Sequence, residues 1–142
     1  IVDSAEERPI YFTTALGTMN RLGLAPFAVR QGLVHKLDVR SLEEAPREGL
    51  ARGSEPYGGE WFDLPRSRSL WANVYRFRGL RDRAIWFDRA TLNIPWQLYA
   101  LAATLADVGR EADLPSDEVQ GWEAAAAAFQ IVASGGTRGP PR

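Results

Sequence analysis

Over residues 10–39 apolar positions alternate with polar ones in short runs, and beyond residue 90 they recur every three or four positions. Ile10 and Phe12 alternate with Tyr11 and Thr13 behind Pro9, which predicts a strand with proline at its tolerated first position. The segment GTMNRLG is turn-rich, and APFAVRQG predicts a two-turn helix stopped by Gly32. In LVHKLDV, Leu33, His35, Leu37 and Val39 share one face and Val34, Lys36 and Asp38 the other, the pattern of a half-buried strand. Together these pieces predict a compact βαβ arrangement with a short crossover.

Residues 41–62 are dominated by Gly, Pro and charge and predict a long surface loop. Its aromatic end, Tyr57, Trp61 and Phe62, is expected to lie against a neighbour. Asp63 caps a predicted helix with Pro65 in its first turn, Leu70, Trp71, Val74 and Phe77 as its buried stripe, and Gly79 as its stop. AIWFD, residues 84–88, predicts a third strand.

Asn93 with Pro95 opens the next predicted helix. Leu98, Leu101, Ala102 and Leu105 follow helical spacing, and Gly109 ends it. Ser116 caps the last predicted helix, with Asp117 and Glu118 at the positive end of its dipole and Val119, Trp122, Ala126, Phe129 and Ala133 as its stripe. These two helices predict an antiparallel hairpin. The expected fold is α+β. A sheet of about three strands with a packed helix occupies residues 1–89, the helical hairpin residues 90–134, and a flexible Gly/Pro-rich tail residues 135–142.

Composition changes this picture little. Apolar residues at 45% and charged residues at 25% are globular values, and 142 residues suffice for one core. The absence of cysteine excludes disulfides, thiolate zinc sites and cysteine nucleophiles. No apolar run approaches the roughly 18–20 residues that cross a bilayer, so the chain is expected to be soluble or membrane-extrinsic.

Charge matters more, because it is segregated. Residues 38–63 carry seven acids and three Arg, residues 64–89 seven Arg and two Asp, and residues 90–142 six acids and three Arg. The middle block is a candidate electropositive face, set against the plainer reading of a solvated surface with locally paired arginines. Its Arg66, Arg68, Arg76, Arg78, Arg81 and Arg83 interleave with Trp71, Tyr75 and Phe77. The pI of about 5.9 and the fit of the aromatics to a helix stripe argue against nucleic acid, and an acidic protein surface or lipid headgroups suit the patch equally well.

No catalytic constellation is visible. His35, the only histidine, reads as a packed or hydrogen-bonded strand residue, and a metal site would need several further ligands. The pairs Glu6–Glu7, Glu43–Glu44 and Asp117–Glu118 are sequence neighbours that point apart. Glycine-rich phosphate loops, zinc-protease and nucleophile-elbow motifs are missing. The expectation is therefore no catalytic residue, no metal and no cofactor in this chain. The candidate interface comprises Tyr57, Trp61, Phe62, Arg66, Arg68, Arg78, Arg81, Arg83 and Trp96.

Four segments, ERPIYFTTA, LGLAPFAVRQGLVHKL, LWANVYRFRGLRDRAIWFD and YALAATLADVGREA, carry a resemblance over roughly residues 1 to 112. In order and spacing they resemble the C-terminal soluble portion of a bacterial family of multi-spanning membrane proteins. That family, long described as a domain of unknown function, is related to protein O-mannosyltransferases of the C-type glycosyltransferase architecture. YALAATLADVGR also resembles the first helix of a tetratricopeptide repeat. The resemblance implies an extracytoplasmic, peripheral location and a surface shaped to sit on a membrane protein. In such transferases the catalytic acid lies in a loop between membrane helices, so no catalytic residue carries over to this chain.

The leading expectation is a non-catalytic, membrane-extrinsic subunit that steadies integral membrane protein subunits, with lipid headgroups as a further contact. The hosts considered are respiratory or photosynthetic assemblies, such as a reaction centre with its antenna. Two alternatives stand beside it: the outer domain of a glycosyltransferase-like membrane enzyme, and a periplasmic peptide- or glycan-binding module with a pocket near Trp61 or Trp86.

Overall fold

The computed structural model describes residues 8–13, 16–43, 48–53, 59–77, 80 and 89–134, with positions 16 and 89–92 by backbone alone. Contacts gather into two compact units, Ile1–Val74 and Tyr75–Arg142.

The first unit is built on a mixed sheet of five strands: β1 (Tyr11–Phe12), β2 (Ala28–Gln31), β3 (Val34–Leu37), β4 (Leu50–Arg52) and β5 (Trp61–Asp63). Their order is β1-β3-β2-β5-β4, with β2 and β5 parallel and the other pairs antiparallel. The chain is thus α+β as expected, but with more than the three strands foreseen. Two of the added strands, β4 and the start of β5, lie within the segment expected to be a loop. They are only three residues long, too short to show alternation among Gly and Pro.

Residues 25–31 correct a second expectation. Ala25–Phe27 form one 3-10 turn, and Ala28–Gln31 then run as β2 instead of completing a helix. β2 pairs directly with β3, so the unit is a hairpin and not a βαβ crossover. Gly32, expected as a helix stop, is the first residue of the two-residue turn and holds φ +62°, a conformation that suits glycine. The turn-rich segment before it forms α1 (Leu16–Arg21).

The register places Ala28, Arg30, His35, Leu37 and Phe62 on one face of the sheet. Met19 and Leu24 cover Ala28 and Leu37, with Ile10, Phe12 and Phe27 at the margin. Behind β5 runs α2 (Leu64–Asn73), capped as expected by Asp63, whose Oδ1 accepts from the Arg66 N–H at 2.9 Å. The expected stripe of α2 is only partly realised. Leu70 and Trp71 are half-buried, Val74 is 58% exposed, and Ser67 is its one fully buried residue. The Ser67 Oγ accepts from the Gly32 N–H at 2.9 Å, which ties α2 to the hairpin turn.

The second unit contains α3 (Arg89–Glu111) and α4 (Ser116–Ala133), which pack together. Leu98, Leu101, Ala102 and Leu105 are buried on α3, and Val119, Trp122, Ala126, Phe129 and Ala133 on α4, as the spacing predicts. Phe77 meets Phe129 edge-on at 5.3 Å between centroids, so it belongs to this core and not to the stripe of α2.

Three helix ends differ from expectation. α3 begins before Asn93 and contains Pro95. It also passes Gly109: the Leu114 N–H bonds the Gly109 carbonyl, and Asp113 at φ 52° forms the left-handed C-terminal cap. Ser116 is the first helical residue of α4, with no side-chain cap bond. The expected strand 84–88, the stop at Gly79 and the tail 135–142 lie outside the described residues.

Candidate functional site

Strand alternation brings Arg30 and His35 opposite each other on β2 and β3, and Glu60 precedes β5 on the same side. Arg30 Nη1 donates to Glu60 Oε1 at 2.7 Å, and Arg30 Nε donates to the Gly32 carbonyl at 3.0 Å. His35 Nε2 lies 2.7 Å from Glu60 Oε2. All three residues are buried. Burial alone would push the Glu60 carboxyl up. The His35 hydrogen bond, with the charge and hydrogen bond of Arg30, outweighs it and holds the group below its ordinary value. An ionised Glu60 only accepts, so His35 Nε2 carries the bonding proton. Each carboxylate oxygen is thereby engaged, and the triad braces β5 to β2 and β3.

Beside the triad, the Arg52 guanidinium sits 4.3 Å from the Trp61 ring centroid. Arg52 Nη1 donates to the Gly59 carbonyl at 2.7 Å, and Nη2 to Glu43 Oε1 at 3.3 Å. The Trp61 Nε1–H is buried with no acceptor among the described residues. Asn20, Pro26, Glu43, Arg52, Glu60 and Trp61 line a recess of about 180 Å³ here.

In the second unit the first turns of α3 carry Ile94, 50% exposed, and Trp96, 44% exposed. Trp96 is fixed edge-on to Tyr99 at 5.4 Å. A shallower recess of about 360 Å³ lies at the turn between α3 and α4. Its Arg110 is already paired with Asp107 and Glu123.

The sequence-predicted interface residues scatter. Trp61 is half-buried under Arg52, Arg66 is exposed, and Arg68 is half-buried and engaged with its surroundings. Trp96 is at the surface. Phe62 is corrected: at 0% exposure it is a core residue, because β5 is an interior strand of the sheet. Tyr57, Arg78, Arg81 and Arg83 lie outside the described residues. The residues not foreseen are Arg30, Glu60, Arg52 and Glu43. A strand histidine on an apolar face signals a buried partner, but nothing in the sequence selects one acid among 18.

Among the described residues no three His, Asp or Glu side chains are grouped to hold a metal ion, and no helix is long and apolar enough to cross a membrane. No family model matches the chain, and no curated protein or solved structure shows significant similarity to it.

Proposed function

We propose that this chain is a non-catalytic, extrinsic binding module that attaches to integral membrane protein subunits at an extracytoplasmic membrane surface. The observation that carries this reading is the aromatic-aliphatic end of α3. Isolated exposed apolar residues are ordinary. Here Ile94 and Trp96 are both exposed within one turn, on either side of the buried Pro95, and Tyr99 holds the indole in place. A pre-positioned tryptophan loses little entropy on binding and is a favoured interface anchor. The resemblance to outer domains of the O-mannosyltransferase-related family supports the extracytoplasmic side, and exposed Arg66 offers a contact for lipid headgroups. Respiratory and photosynthetic assemblies are the hosts to examine first; nucleic acid is not an expected partner.

The test is gentle detergent extraction of native membranes, capture of this chain and identification of what accompanies it. A stoichiometric membrane complex that survives moderate salt is the expected result. Recovery of one polypeptide carrying membrane spans would make the chain the outer domain of a transferase-like enzyme. Recovery of the chain alone would overturn the membrane reading.

A further inference from the structure

We propose that the recess beside Trp61 binds a small neutral polyhydroxylated molecule about one ring in size. The inference is independent of the membrane partner and rests on the first unit alone.

The lining decides the ligand's charge. Glu60 is neutralised by Arg30 at 2.7 Å, and Glu43 faces Arg52 at 3.3 Å. Among these four groups positive and negative charges are equal in number. An ion of either sign entering the recess meets the mutually paired Arg52 guanidinium and Glu43 carboxylate. Neither sign finds a net opposite charge to repay its dehydration.

The same lining favours hydroxyls. A hydroxyl both donates and accepts, and the recess offers both roles within a small volume. Glu43, exposed at the rim, keeps acceptor capacity beyond its bond from Arg52. Arg52 keeps donor capacity beyond its bonds to Gly59 and Glu43. The Asn20 side-chain amide has no partner among the described residues and supplies a donor and an acceptor at the rim. Ala25, Pro26 and the Trp61 ring give the apolar wall that the carbon side of a polyol ring needs.

The recess is also pre-organised. Arg52 is fixed by a carbonyl, a carboxylate and an indole face. A ligand therefore meets polar groups already aimed and does not bear the cost of ordering them.

The experiment titrates the full chain, labelled with nitrogen-15, with myo-inositol, methyl glucoside, arginine and inorganic phosphate, following the Trp61 indole resonance assigned through Trp61→Phe. Saturable shifts with myo-inositol, and none with arginine or phosphate, are expected. Equal response to methyl glucoside would identify the end of a glycan as an acceptable source of the ring, and its absence a free polyol. Asn20→Ala and Glu43→Gln lie at the exposed rim, so both fold, and each is expected to weaken binding about tenfold. Saturable binding of arginine or phosphate in place of the polyol, no saturable shift at all, or unchanged affinity in both variants would overturn the proposal.

Discussion

Glu60 is a buried carboxylate held between two partners in the first unit. Its folded carboxyl sits below its ordinary value because the His35 hydrogen bond and the Arg30 charge overcome its burial. A depressed folded value means that the contribution is fully present above the unfolded value and is lost as pH falls through the folded one. Stability is therefore expected to decline on acidification below about pH 4.5, the ordinary value of the group. Glu60→Gln should flatten that part of the profile, as followed by urea denaturation at a series of pH values. Glu60→Ala leaves Arg30 buried without its partner and should cost about 3–5 kcal/mol. An unaltered acid limb in Glu60→Gln would mean that other carboxylates govern it. His35 made this pairing half-legible: alternation placed it inside, but its partner lies 25 residues away across a segment with no pattern of its own.

Two glycines of the helical pair, Gly109 and Gly121, behave oppositely. Gly109 reads as a helix stop but lies within α3, where an added Cβ would meet Trp122 Cζ3 at 2.7 Å. Trp122 is a buried, rigid ring, so the contact cannot be relieved by a swinging side-chain end. Gly109→Ala gains about 1 kcal/mol of helix propensity, and a contact this short places its overpacking cost at about 2–3 kcal/mol, for a net loss of about 1–2 kcal/mol. Gly121 in α4 has nothing within 4 Å of the same added atom. Gly121→Ala should stabilise by about 0.5–1 kcal/mol. Thermal denaturation of the two variants checks the pair, and melting temperatures that move in the same direction would contradict it. The stripes of α3 and α4 were legible because each extends over many turns, so apolar spacing outweighs local noise. The ends were not, because a left-handed residue at Asp113 and a turn carbonyl at Pro115 perform the capping that Gly109 and Ser116 were expected to perform.

For the molecule as a binding module, folding and attachment should separate. Ile94 is half-exposed and Trp96 is partly covered by its edge contact with Tyr99, so Ile94→Ala with Trp96→Ala should lower folding stability by about 1 kcal/mol per site and leave the chain folded. The same double variant should lose most of its co-purifying membrane subunits in a detergent pull-down. Retention of the full complex would move the contact surface elsewhere, with the exposed face of Arg66 next to be tested.

What the sequence determined by itself is the α+β class, the helical hairpin and its core, the Asp63 cap and the inward position of His35. Each depends on local chemistry or on periodicity sustained along one element. Only the tertiary structure decided the five-strand order, the burial of Phe62, the hairpin in place of a βαβ unit, and the meeting of Arg30, His35 and Glu60. Strands of two to four residues are too short to carry a period. Their pairing is selected by hydrogen bonds and buried charges between distant positions, whose energies appear only once the chain has closed on itself.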